Sequence, residues 1–215
     1  MDRVGIIDYG SGNIHSIEKA LKYVGAQTTV VLNLDEIEKC DKIILPGVGA
    51  FGNAVQKLTA LGFKKKIRDI IKEQIPVLGI CVGMQMLFDR SYEFGEHLGL
   101  GIISGSVSKI NPSSHKGFKI KVPHIGWSEI SPPAKAITQD WNDTILEGID
   151  IATKFYFVHS YSAKPKDLDV RLAETIYGDE HLTAVVRSNN LYGVQFHPEK
   201  SGEAGLVVLK NFSEL

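Results

Sequence analysis

The chain is poor in cysteine, in basic clusters and in long apolar runs, and each shortage narrows what it can be. Cys40 and Cys81 are the only cysteines among 215 residues, too few for a disulfide framework, which points to a reducing compartment. Lysine and arginine (24) nearly balance aspartate and glutamate (25), giving a net charge of −1. With no basic tract either, the composition argues against nucleic-acid binding. No apolar run is long enough to span a bilayer, and Asp2 and Arg3 lead directly into Val4–Ile7 without room for a signal-peptide core. No His/Cys cluster has metal-ligand spacing. The expectation is a soluble, cytoplasmic globular protein with no membrane partner. Its length suits one large domain, residues 1–215, with a substantial core.

What is present centres on Ile75–Phe88. The short apolar run bounded by Pro76 reads as a buried strand, and Met84, Leu87 and Phe88 then fall at helical spacing. Between them lies Gly79-Ile80-Cys81-Val82-Gly83, a Gly-x-nucleophile-x-Gly pattern. A sharp strand-to-helix turn brings two backbones close, and glycines without Cβ permit it. The turn projects Cys81 from the sheet edge toward a helix N-terminus, where backbone N–H groups and the helix dipole favour thiolate. A free cysteine is more often a small buried hydrophobe, but glycine on both sides makes that reading the weaker one.

Around this elbow the chain alternates strands and helices. Val4–Asp8, Thr28–Leu32 and Lys42–Leu45 read as strands, and Ile14, Ile17, Leu21 and Val24 mark a helix ending near Gly25. Such alternation indicates βαβ units and a doubly wound, largely parallel α/β sheet, whose ligands sit beyond the carboxyl ends of the strands. Leu61–Glu73 reads as an amphipathic helix with a solvated basic face. Lys154–His159 and Val170–Tyr177 alternate more clearly, which suggests an antiparallel extension.

Gly47-Val48-Gly49-Ala50-Phe51-Gly52 matches the dinucleotide fingerprint G-x-G-x-x-G. A dinucleotide site also needs an acidic residue ending the next strand, and that strand ends at Ile80 and Cys81. Nucleotide binding is therefore disfavoured. Glycine amides beside a nucleophile can approach a developing oxyanion, or the glycines can simply permit a tight turn; both readings stay open on residues alone.

The last strand, Leu191–Phe196, runs into His197-Pro198-Glu199-Lys200-Ser201. In extended chain, residues i and i+2 project to one side, so Glu199 can accept from the His197 imidazole and stabilise its charged form. Proline between them restricts the backbone. His15, His97 and His181 have no such partner pattern, and His115 is expected to be solvent-exposed. Lys121–Trp127, with proline, histidine, glycine and tryptophan together, suits an irregular surface feature better than a strand, and Ser131–Gly148 reads as loop with a short helix. Tryptophan in such a feature is a frequent interface anchor.

With the Cys81 elbow and His197-Pro198-Glu199 in hand, the chain resembles class I (triad) glutamine amidotransferases over essentially its full length. The likeness is closest to their imidazole glycerol phosphate synthase glutaminase branch. The segments that carry it are Ile7–Asn13, Leu45–Phe51, Val122–Trp127, Phe157–Tyr161 and Gln195–Ser201. Val82 departs from the leucine more common in the family. The resemblance implies a flavodoxin-like fold and catalysis by Cys81, His197 and Glu199. It implies glutamine recognition by Gln85 and His159-Ser160-Tyr161, and an oxyanion site from Val82 with the Val48/Gly49 loop. Asn13, His124, Trp127 and Lys200 would line or border the face that meets a (β/α)8-barrel cyclase partner. No metal or organic cofactor is implied. Two alternatives stand beside it: an ammonia-supplying subunit serving a different acceptor, as in nucleotide-sugar or surface-glycan amination, and a catalytically silent binding subunit, against which the intact triad argues.

Overall fold

The computed structural model describes residues 2–112, 119–134 and 140–215. The expected alternation is present: β1 (Arg3–Ile7), α1 (Ile14–Tyr23), β2 (Gln27–Val31), α2 (Leu34–Ile37), β3 (Lys42–Gly47), α3 (Phe51–Ala60), α4 (Phe63–Lys72), β4 (Val77–Cys81) and α5 (Val82–Met86). β1 pairs in parallel with β2 on one side and β3 on the other, and β3 pairs in parallel with β4. The strand Leu191–Val194 adds to β4 in parallel, and Glu180–Ser188 and Arg171–Tyr177 follow antiparallel, completing a seven-stranded sheet. β3 and β4 are buried at every position, as expected of parallel strands covered on both faces.

Strand order reverses between β1 and β3. Right-handed crossovers then place α1 and the α3–α4 pair on opposite faces of the sheet, and the final helix α6 (Gly202–Glu214) packs beside α1. A crevice opens at such a switch point, beyond the carboxyl ends of the strands. The β1, β3 and β4 loops converge there. In α4 the expected amphipathic pattern holds: Phe63, Ile67 and Ile70 are buried, whereas Lys64 and Lys65 lie outside the core.

Two expectations need correction. The elbow helix does not continue through Phe88: α5 has five residues, and Phe88–Ser91 is a strand of a second, four-stranded sheet. Met84, Leu87 and Phe88 are all buried, so their spacing reported core packing rather than a long helix, and a single turn contributes little dipole. Lys121–Trp127 is not wholly irregular either. After a cis Val122–Pro123 bond, His124–Glu129 forms a regular antiparallel ladder with Lys154–His159. Between 131 and 148, no helix occurs among the described residues, while 135–139, like His115, lie outside them.

The elbow glycines are sterically required. A Cβ on Gly83 would lie 1.9 Å from the Leu45 carbonyl oxygen, and one on Gly79 would lie 2.7 Å from the Met84 nitrogen. Both clashes are with backbone, which cannot rotate away. Gly83→Ala is accordingly expected to destabilise the fold by about 3 kcal/mol or more, at or beyond the upper end for overpacking. Denaturant unfolding reads this directly, and an unchanged midpoint would show that the β3–α5 approach is not the constraint.

Candidate functional site

Cys81 ends β4 with φ 55° and ψ −112°, a conformation that non-glycine residues hold only at a cost of about 1–3 kcal/mol. Strain of this kind is what a nucleophile elbow imposes to lift a side chain off the sheet. Cys81 opens onto a cavity of about 310 Å³, whose walls come from the β3–α3 loop, α5, the Glu93 loop, and the segments around Pro123 and Val158–Tyr161.

His197 lines the same cavity, placed by the chain leaving Leu191–Val194. Its Nδ1–H donates to Glu199 Oε1 at 2.8 Å; the pair meets, but through a 3₁₀ turn over Pro198–Lys200 rather than the extended chain expected from the sequence. Both side chains are buried. Burial by itself would lower the His197 pKa, but hydrogen bonds and negative charge from Cys81 and Glu199 outweigh it and raise it to about 9. Burial conversely opposes charge on Glu199, and the His197 hydrogen bond and charge, with Asn13, bring its pKa below the usual carboxylate value. At neutral pH the site therefore holds a protonated imidazole hydrogen-bonded to the Glu199 carboxylate.

Nine expected site residues line the cavity: Cys81 and His197, Val48, Gly49 and Val82, Gln85, and the run His159-Ser160-Tyr161. Glu199 stands behind His197. The Val48 amide needs correction as an oxyanion donor, because its N–H donates to Ser11 Oγ at 3.3 Å while its carbonyl accepts from the same hydroxyl at 2.8 Å. Gly49, at φ +85°, and Val82 remain as loop and elbow candidates.

His124 also needs correction as a face residue, since it is 1% exposed. Its ring stacks between Phe157 (4.9 Å) and Tyr177 (4.0 Å). The hydrogen bonds fix both tautomers. His159 Nδ1–H donates to the Tyr161 carbonyl at 2.8 Å, so Nε2 is bare and accepts from His124 Nδ1–H at 3.1 Å. His124 Nε2 then accepts from Ser128 O–H at 2.8 Å. Burial lowers the pKa of His124 to about 4; burial, with the His124 and His197 charges, lowers that of His159 to about 3 despite its backbone partner. Both rings are neutral supports. Asn13 faces inward as well, donating to Glu199 Oε1 at 2.9 Å, while Trp127 (54% exposed) and Lys200 are on the surface.

Sequence reasoning missed Glu93, Pro123 and Val158, which also line the cavity. Glu93 is its one lining carboxylate, and Oε2 accepts from the Phe51 N–H at 2.6 Å, pinning the start of α3. Nothing in a polar loop distinguishes it until the loop is folded onto the cavity that Cys81 lines. Two of the histidines left without roles have packing partners: His97 lies against Gly52, and His181 Nδ1 pairs with Glu174 Oε1 at 2.6 Å, while His15 is exposed. No group of three metal-ligating side chains occurs among the described residues, nor a helix long and apolar enough to cross a membrane.

A strained cysteine elbow at the carboxyl edge of a doubly wound sheet, sharing a cavity with the histidine of a His–Glu pair, is an arrangement suited to nucleophilic catalysis. The family model for class-I glutamine amidotransferases matches residues 5–214, and the chain belongs to that family. Among its relatives, "Imidazole glycerol phosphate synthase subunit HisH 1" of Legionella pneumophila (strain Lens) is 42% identical, with both chains covered completely. The subunit HisH of Caldanaerobacter subterraneus subsp. tengcongensis is 43% identical, covering 99% of this chain and 98% of that one. Among solved structures, PurLQS from Thermotoga maritima superposes with a TM-score of 0.72 at 20% identity, covering 99% of this chain and 98% of the other, a likeness of fold.

Proposed function

We propose that this chain is the glutaminase subunit of an imidazole glycerol phosphate synthase. In that role it hydrolyses L-glutamine to glutamate and ammonia and delivers the ammonia to a (β/α)8-barrel cyclase subunit in histidine biosynthesis. The observation that carries the reading is the meeting of Cys81 with the buried His197–Glu199 pair at one cavity; the full-length relatives named as synthase subunits support the choice of acceptor.

The chemistry follows from the groups. The Cys81 thiolate adds to the carboxamide carbon of glutamine, and the electron pair moves to oxygen, where the Val82 and Gly49 amides are the candidate donors. His197, protonated at neutral pH, gives its proton to the leaving nitrogen, and ammonia departs as the thioester forms. The now neutral imidazole takes a proton from water, whose oxygen attacks the thioester. Collapse releases glutamate and returns thiolate and imidazolium. Glu199 fixes the ring and stabilises its charge throughout. Glu93 and the Ser160–Tyr161 segment are suited to the polar amino-acid end of the substrate.

The Gly47–Gly52 loop is suited to gating this reaction, because glycine peptides reorient cheaply and one oxyanion donor is worth about 10²–10³-fold in kcat. The isolated chain is expected to release glutamate slowly and to be stimulated strongly by a barrel partner with its nucleotide bound. Trp127→Ala or Lys200→Ala is expected to weaken stimulation more than the basal rate. Glutamate release with and without partner tests this; a chain fully active alone and indifferent to any barrel subunit would contradict it.

A further inference from the structure

Gln195 is fully buried one residue beyond the strand Leu191–Val194, its backbone N–H fixed to the Ala184 carbonyl at 2.8 Å. It does not line the cavity, and the triad chemistry above does not use it. Its side-chain amide nevertheless reaches Cys81 Sγ, with Nε2 3.7 Å from the sulfur.

The orientation of that amide follows from the surrounding groups. The Tyr161 carbonyl can only accept, so the Gln85 atom 3.0 Å from it is Nε2. The same Nε2 lies 3.0 Å from Gln195, which must present Oε1 there. The nitrogen of Gln195 is thereby turned toward the sulfur. Both hydrogens of Gln85 Nε2 are used in these two bonds, which leaves its Oε1 as the only Gln85 side-chain atom free to meet substrate, as an acceptor of a substrate N–H.

We propose that Gln195 is a catalytic residue of the glutaminase reaction, donating its side-chain N–H to the Cys81 sulfur alongside His197. The proposal rests on the assignment of Cys81 as nucleophile. A donor at the sulfur favours thiolate before attack and stabilises the same thiolate when it leaves during thioester hydrolysis. Donation also makes sulfur less nucleophilic, but attack senses only about 0.4–0.5 of such a change, so the gain in thiolate exceeds the loss. Because Gln195 is locked through Gln85 to the Tyr161 carbonyl, the nucleophile and a cavity wall that meets substrate share one hydrogen-bonded chain.

The test is the alkylation rate of Cys81 by iodoacetamide at neutral pH, with the label located by peptide mass. This small reagent needs no recognition by Gln85. Gln195→Met, close in shape but without a donor, is expected to slow labelling about 3–12-fold, the part of a hydrogen bond to a charged group that remains after the offsetting change in nucleophilicity, with kcat falling in parallel. Wild-type labelling in a variant of unchanged melting temperature would overturn the proposal. If Gln195→Met does not fold, the Gln195 side-chain amide resonance in ¹⁵N-labelled Cys81→Ala decides instead. Loss of the sulfur is expected to move it relative to wild type, and an unmoved resonance would overturn the proposal. Failure of the underlying assignment looks different: Cys81→Ala itself would still hydrolyse glutamine.

Discussion

Cys81→Ala is expected to abolish glutamine hydrolysis, by about 10⁴-fold or more, as removal of a nucleophile does in other covalent hydrolases. No second thiol can substitute. Cys40 is buried just before β3, at the opposite end of the sheet from the cavity, and its Sγ–H donates to the Glu36 carbonyl at 3.3 Å. Alanine at 81 removes one buried sulfur and leaves the His197–Glu199 pair and the outer surface intact. Complexed with a barrel partner, the variant is therefore expected to retain turnover on added ammonia. Parallel assays with glutamine and with ammonium salt check this. Loss of both activities would indicate damage to the subunit interface, and retained glutamine turnover would remove Cys81 from the mechanism.

Glu199→Gln is expected to lower kcat by about 10²–10⁴-fold; the upper figure is that of the equivalent change in a serine triad, and the greater intrinsic nucleophilicity of sulfur favours a milder loss. Glu199 Oε1 accepts from both His197 and Asn13, whereas Oε2 is buried without a partner among the described residues. An amide can keep its oxygen on the two donors only by placing its NH₂ at that unpaired position, or it can turn and oppose them; either choice leaves a buried group unsatisfied. The negative charge is lost in both cases. That charge helps raise the His197 pKa to about 9, so the imidazolium that protonates the leaving nitrogen is expected to be lost at lower pH. The alkaline limb of kcat should move down the pH scale. A rate and pH profile equal to wild type would place Glu199 outside the mechanism.

The parts of this site legible from sequence were those encoded by short-range geometry. The elbow could be read because two backbones approach at Gly79 and Gly83, and only glycine fits there. The His197–Glu199 pair could be read because two residues of chain suffice to bring them together. Parallel strands β1, β3 and β4 were legible as continuous apolar runs. The remainder depends on contacts between distant segments. Helical spacing at Met84–Phe88 is shared by any buried run, so it overstated α5. The mixture of residue types in Lys121–Trp127 concealed a strand whose alternation is carried by His124, a polar residue buried because Phe157, Tyr177 and His159 surround it. Ser11 reaches Val48 across 37 residues and Gln195 reaches Cys81 across 114. Neither pairing leaves a periodic signal.

Central to the account is a covalent glutamyl–Cys81 intermediate in the cavity beneath His159–Tyr161. A glutamine-shaped diazoketone, whose reactive carbon occupies the place of the carboxamide, tests it most directly. Mass spectrometry of the treated protein is predicted to show one adduct per chain, located on Cys81, absent from Cys40 and suppressed by excess L-glutamine. Labelling of Cys40, or active chain inhibited without an adduct on Cys81, would contradict the account.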